Sequence, residues 1–456
     1  MSWNSPRTSA ARFYHPELDV LRFFAFFMVF LHHALPHEPS FYTRMGVGPG
    51  LASLLCGIGA AGAYGVNLFF LLSSYLITEL LIRERDRFGH IDLKSFYVRR
   101  VLRIWPLYFF FLALAWGMQW YVPGQHIGWR AGLAFCLLSG NWWLVFVGFP
   151  SSVIFPLWSV SIEEQFYIFW PATMRKLSQR GLLIAAALML VVANLARWYL
   201  ASRHTWESKI WANTFVQLDG IAFGILLTVL LAGAAPRIAP LPRIALFTGG
   251  LACFGLAANY FVINGDPLTM SRVLLGYPIM AIGAVGLFLA TLRDQAPAAG
   301  SAALPVSGGP PSSVGEYGGG VVLPKSADVY LRSSIHGSVS GGQSAVVEVA
   351  ADAPPLSRPT DAGLRSSVRG WRISEWKPLV YLGRISYGLY VFHVLALMVS
   401  SYTVARPDST LGRFLLRDTI AFVITVVLSA ASYRWLESPF LTLKQRFTHV
   451  LSRPGG

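Results

Sequence analysis

Charge is scarce in this sequence. Of its 456 residues 54% are hydrophobic and only 13% are Asp, Glu, Lys or Arg, too few to clothe the surface of a soluble domain of this length. Cysteine is nearly missing. Cys56, Cys136 and Cys253 are scattered, odd in number and without the paired spacing of a metal site or a disulfide framework, so no metal is expected. The alternation of apolar and polar residues over segments of about 10 that marks a transmembrane barrel is absent. No internal repeat is visible, which weighs against the transporters built on inverted repeats with broken helices. Acidic residues are scarcer than basic ones, 22 against 37, leaving a net charge of +15. The positives cluster just outside apolar runs, where membrane orientation requires them, so no nucleic-acid partner is expected.

Long apolar runs are plentiful. They occupy residues 18–35, 64–82, 101–120, 157–173, 182–200, 214–232, 244–263, 274–291, 379–399 and 416–434, each close to the roughly 20 residues that carry a helix across the hydrocarbon. The partner of most of the surface is therefore the lipid bilayer. The first run could be taken for a signal peptide, but "HHALPHEPS" lacks a small-residue cleavage pattern, and it reads as a retained span. An eleventh segment, "AGLAFCLLSGNWWLVFV" at 131–147, decides the topology. If it crosses, "RKLSQR" at 175–180 and every later basic loop fall outside. If it is a re-entrant hairpin, they fall inside together with "RERDRFGHIDLKSFYVRR", as the positive-inside rule demands. Ten spans with both termini cytoplasmic are expected, and the hairpin should point at a buried or wet site, because irregular backbone at membrane depth needs one. Residues 295–370 are rich in Gly, Ser, Pro and Ala and read as a disordered cytoplasmic linker. It divides a bundle of eight spans, 1–294, from the last two, 371–456.

Several ionisable residues interrupt the runs, and such residues are functional candidates by default. In "LDVLRFFAFFMVFLHHALPH", Arg22 can pair with Asp19 one turn back. His33 lies eleven residues further, within about 20° of the same helix face and about 16 Å along the axis. His32 points about 100° away. The competing reading is that Arg22 snorkels and the histidines sit among headgroups. In "FYVRRVLRIWPLYFF", Arg100 and Arg103 form an i, i+3 guanidinium face suited to phosphate oxygens, although orientation would also place arginines there. In "FPLWSVSIEEQFYIFWPA", Glu163 and Glu164 survive at membrane depth only if paired, protonated or facing water. Asp219 lies in "NTFVQLDGIAFGILL", Arg384 and His393 in "GRISYGLYVFHVLAL", and "SYRWLESPF" places Glu437 and Pro439 at the end of the last helix. Together they imply an all-α polytopic membrane protein: about ten transmembrane helices around a polar cavity, with one re-entrant hairpin.

These motifs, with "GVNLFFLLSSYLIT", "PLWSVSIEEQFYIFWP", "RISYGLYVFH" and "YRWLESP" in this order, resemble acyltransferase family 3, integral membrane O-acyltransferases. The resemblance spans the chain except the linker. It implies transfer of an acyl group, commonly acetyl, from coenzyme A on the cytoplasmic side of the inner membrane to a hydroxyl of a carbohydrate or lipid-linked acceptor. It implies that Arg22 and His33 are the essential first-helix pair, Arg100 and Arg103 the basic pair at the donor phosphates, and Glu163 and Glu164 the acids of the fourth span. Asp19, His32, Asp219 and His393 are secondary candidates. A histidine titrating near neutral pH suits a general base on the acceptor hydroxyl; an acyl-carrying nucleophile is the alternative. Three positions depart from the family pattern: Asn67 for Asp, Ser74 for Gly, and Gln217 for an Arg that would neighbour Asp219. Some relatives append an esterase-like domain, and without one the bundle, alone or with a separate protein, is expected to complete transfer. Rival readings are a small hydrophobic acceptor such as a macrolide, and a non-catalytic transporter of glycan or acyl donor.

Overall fold

The computed structural model describes residues 13–205, 207–261, 269–293, 376–404 and 410–448. They fall within one unit formed by Met1–Gln295 and Arg372–Gly456, and the second unit, Ala296–Trp371, which contains most of the expected linker, lies outside them.

Each apolar run is largely helical over its described residues. The chain forms α1 (Pro16–Ala34), α2 (Pro39–Arg44), α3 (Pro49–Gly62), α4 (Gly65–Phe88), α5 (Leu93–Met118), α6 (Trp129–Cys136), α7 (Gly140–Phe146), α8 (Leu157–Met174) and α9 (Gln179–Ser202). It continues with α10 (Glu207–Trp211), α11 (Leu218–Leu231), α12 (Pro240–Asn259), α13 (Met270–Thr291), α14 (Lys377–Arg384), α15 (Ser386–Val404), α16 (Leu411–Ser432) and, after a π-helical turn at Tyr433–Glu437, α17 (Ser438–Gln445). No strand occurs among the described residues. Large apolar side chains such as Leu188, Val191 and Leu195 on α9 and Ile244 and Leu251 on α12 are exposed, as lipid-facing surfaces are. Among the described residues six helices are long and apolar enough to cross a membrane, seven if the bent pair α14–α15 counts as one span. The protein is an all-α multi-pass membrane protein. Helices α1 and α8 fall outside those six, and they carry the charged and polar candidates that lower their own hydropathy. Helix α11 has only 14 residues, about 21 Å.

Four local features differ from expectation or refine it. The segment 131–147 is two short helices, α6 and α7, broken at Leu138, whose φ is +54°. Neither has the length to cross. Tyr108 on α5 donates to the Phe135 carbonyl at 2.8 Å. Asn141, Gln165 and Thr214 close a half-buried ring of hydrogen bonds of 2.7–2.9 Å, fixing the hairpin to α8 and to the turn that precedes α11. The run 379–399 is not one straight helix but bends by 75° between α14 and α15. Gly383 sits there against α1, where a Cβ would lie 1.8 Å from the Asp19 carbonyl oxygen; only glycine permits that approach. The last helix does not end at Glu437. It runs through the π turn to Gln445, and Pro439, opening α17, needs no donor of its own there. The stretch 49–62, outside the ten apolar runs, is helix α3, whose Gly59 and Gly62 pack on the end of α1.

Candidate active site

The two ends of α1 carry different chemistry because different helices converge on them. At its first turns, the first two-thirds of α4, the start of α5, the first half of α8, α15 and α17 surround a cavity of about 200 Å³. Asp19, Arg22, Ser73, Arg100, Arg103, Ser159, Glu163, Tyr167, Tyr390 and Lys444 contribute its polar lining.

Arg22 donates to Asp19 at 3.2 Å, the bond the i, i+3 spacing predicts. Arginines 99, 100 and 103 divide their work. Glu84 accepts from the Asp92 amide and from Arg99, each at 2.9 Å, so the turn from α4 into α5 is pinned. Arg99 also donates to the Phe447 carbonyl at 2.7 Å, which makes it a structural cation. Arg100 and Arg103, on the adjoining face, line the cavity. The Arg100 guanidinium lies 5.5 Å from the Phe96 ring and 5.6 Å from the Tyr167 ring, and its Nε has no hydrogen-bond partner among the described residues.

The two acids of α8 separate as neighbours on a helix must. Glu163 lines the cavity and accepts from Ser73 at 3.0 Å and Tyr167 at 3.1 Å. Glu164 points elsewhere and accepts from the Trp105 indole at 3.0 Å, with its other oxygen unpartnered among the described residues. Sequence reasoning missed Ser73, Tyr167 and Lys444. Tyr167 was within reach, being i+4 from Glu163. Lys444 was not, because nothing local announces that the chain end returns to α1.

His33 lies outside this cavity. It lines a second one, of about 290 Å³, with Phe155, Val394, Leu397, Met398, Ser401 and Arg417. Here the far end of α1 meets α15 and α16. Four imidazoles form a row: His37 to His32 at 4.8 Å between ring centroids, His32 to His33 at 4.8 Å, and His33 to His393 at 5.2 Å. Among the described residues no group of His, Cys, Asp or Glu is arranged to hold a metal ion. His32 is anchored, its Nδ1 2.9 Å from the Gly59 carbonyl. Arg22 and His33, expected on one stripe, thus open into two cavities at opposite ends of α1.

Asp219 belongs to neither. The sequence gives it no local cation, since Gln217 replaces the expected arginine, yet the structure supplies one from α9: Arg197, fully buried, donates to Asp219 at 2.5 Å and to the Val216 carbonyl at 2.6 Å. The same guanidinium lies 4.7 Å from the Tyr277 ring.

A family model described as an acyltransferase domain, of acyltransferase 3 type, matches residues 15–304. A Staphylococcus aureus protein provisionally named as an O-acetyltransferase is 28% identical over 225 residues, covering 45% of this chain and 37% of its own length. A Bacillus subtilis protein, provisionally named as a peptidoglycan O-acetyltransferase, is 32% identical over 168 residues, covering 35% and 23%. The peptidoglycan O-acetyltransferase OatA of Listeria monocytogenes is 31% identical over 176 residues, covering 36% and 25%. The chain therefore spans well under half the length of these relatives. No solved structure matches it.

Proposed function

Because this chain belongs to the acyltransferase 3 family, we propose that it is a membrane O-acyltransferase that moves an acetyl group from coenzyme A to a hydroxyl of a cell-surface glycan. The observation that carries this reading is the separation of α1 into a cationic end and a histidine end. Arg22, Arg100, Arg103 and Lys444 around one cavity suit the phosphates and diphosphate of a coenzyme A entering from the cytoplasm. His33, at the second cavity, has no hydrogen bond to protein among the described residues and is the base for an acceptor hydroxyl. The hydroxyl oxygen attacks the thioester carbonyl as His33 takes its proton. The C–S bond then breaks, and the departing thiolate recovers the proton as free thiol. Eleven residues of helix put the two functional ends about 16 Å apart, a gap the flexible pantetheine arm would bridge. Glu163, held by Ser73 and Tyr167, orients the cations beside it. In this reading the bundle has ten spans, both termini are cytoplasmic, the membrane is the inner one, and 295–370 is a linker that leaves the bundle intact. Peptidoglycan, which two relatives are named for, and lipopolysaccharide are the acceptor classes to try first.

The test is release of coenzyme A thiol and appearance of O-acetyl glycan by purified protein in lipid discs. Acceptor-dependent thiol release that disappears in His33→Ala supports the reading. An intact thioester with every glycan tried, alongside movement of glycan or acetyl-CoA across a bilayer, would make the protein a transporter instead.

A further inference from the structure

His393 has no part in either cavity, yet it is the most constrained imidazole of the row. It is fully buried on α15. Its Nδ1 lies 2.5 Å from the Tyr390 carbonyl oxygen one turn back. A carbonyl can only accept, so Nδ1 carries the hydrogen, and in the neutral ring Nε2 is left as a bare acceptor. That Nε2 is buried and has no hydrogen-bond partner among the described residues, a costly vacancy unless something uses it. The rings around it are Phe26 at 6.2 Å, Tyr390 at 5.5 Å and His33 at 5.2 Å. Phe26 has no donor. The Tyr390 hydroxyl is already engaged with Ser159 at 2.6 Å and the Pro156 carbonyl at 3.0 Å. His33 therefore offers the one uncommitted ring N–H in this set.

We infer that His393 is the positioning partner of His33, its Nε2 accepting the His33 ring N–H and so fixing the tautomer whose other nitrogen faces the acceptor hydroxyl. Their rings are tilted by 34°, and a rotation of His33, whose ring is unanchored, closes the pair. Such bonds often tighten only when substrate is bound. Burial keeps His393 from touching substrate itself, so it acts through His33, as the carboxylate of a serine-protease triad acts through its histidine. The arrangement is a histidine pair in which the Tyr390 backbone carbonyl takes the carboxylate's orienting role one step further back. Tyr390 also lines the cationic cavity, so the helix turn that holds the pair borders both cavities.

The inference rests on His33 being the base, and the experiment separates the two. Acetyl transfer by full-length protein in lipid discs is compared for His33→Ala, His393→Leu, His393→Gln and His32→Leu, with acetyl-CoA as donor and thermal unfolding as the control for folding. His393→Leu is expected to lower kcat by about 100-fold, the lower end of what a positioned base contributes, with the KM for acetyl-CoA unchanged. His393→Gln keeps a side-chain carbonyl able to accept, and is expected to recover at least about tenfold of that loss. His32→Leu, removing the other flanking imidazole, is expected to cost less kcat than His393→Leu, and an equal or larger loss overturns His393 as the specific partner of His33. Activity surviving in His33→Ala sinks the functional reading. An inactive His33→Ala beside a fully active His393→Leu overturns only the positioning role, as does a folded His393→Gln no better than His393→Leu.

Discussion

The first and last turns of α1 belong to one helix and sit in different surroundings. The Arg22 end is closed by charge and hydrogen bonding: Arg22 on Asp19, Glu163 under Ser73 and Tyr167, Arg100 between two aromatic rings. The His33 end has ring neighbours but, among the described residues, no hydrogen bond to His33 itself, and Arg417, which lines it, is turned to Asp418 and the Ala34 carbonyl. A site that binds a polyanion needs fixed, paired donors. A site that takes a proton needs a nitrogen left free. The difference teaches that Arg22 and His33, which the resemblance implies as an essential pair, are not a contact pair: they face separate cavities at opposite ends of one helix.

That contrast can be broken most severely at the histidine end. His33→Ala should cut kcat by about 1,000-fold, within the range for loss of a general base, while the KM for acetyl-CoA stays put; steady-state kinetics in lipid discs reads both. A comparable loss of a different kind is expected from Arg197→Leu, which leaves Asp219 as a buried, unpaired charge at a cost of about 3–5 kcal/mol. It touches neither end, so thermal unfolding should shift strongly while kcat per folded molecule holds. Removing Arg100 and Arg103 together should raise the KM for acetyl-CoA by about 10–100-fold, as loss of a charge-assisted hydrogen bond predicts, with a much smaller fall in kcat. Gly383→Ala should destabilise by about 1–3 kcal/mol through overpacking on Asp19. It should disturb the cationic end before the histidine end, seen as a KM change larger than the kcat change. The smallest effect expected is Lys444→Ala, a two- to fivefold rise in the same KM, on the order of one exposed ion pair.

The helices were legible because each apolar run has a membrane-scale length, and Arg100 with Arg103 was legible because i, i+3 spacing puts them on one face that the structure turns to the cavity. The i, i+3 bond of Arg22 to Asp19 was legible for the same reason. Long-range pairings were not. Nothing near Asp219 announces Arg197, which arrives from the preceding long helix across a turn, and nothing near His33 announces His393, which lies 360 residues further along. Helix α3 was missed because, at 14 residues, it is shorter than a span and so does not register as a membrane-length run, although its small residues let it pack against α1. The bend at Arg384–Ile385 was missed because composition is continuous across it. Beside it the Gly383 backbone packs directly on that of Asp19, an approach that only glycine permits.

The most direct test of two separate stations is sidedness. Radiolabelled acetyl-CoA would be supplied to the outer surface of inverted or right-side-out membrane vesicles that carry the protein and a glycan acceptor. Glycan on the opposite, formerly extracytoplasmic face of inverted vesicles should become labelled, and right-side-out vesicles should stay unlabelled. Equal labelling from both preparations would contradict a donor station at the arginine end and an acceptor station at His33.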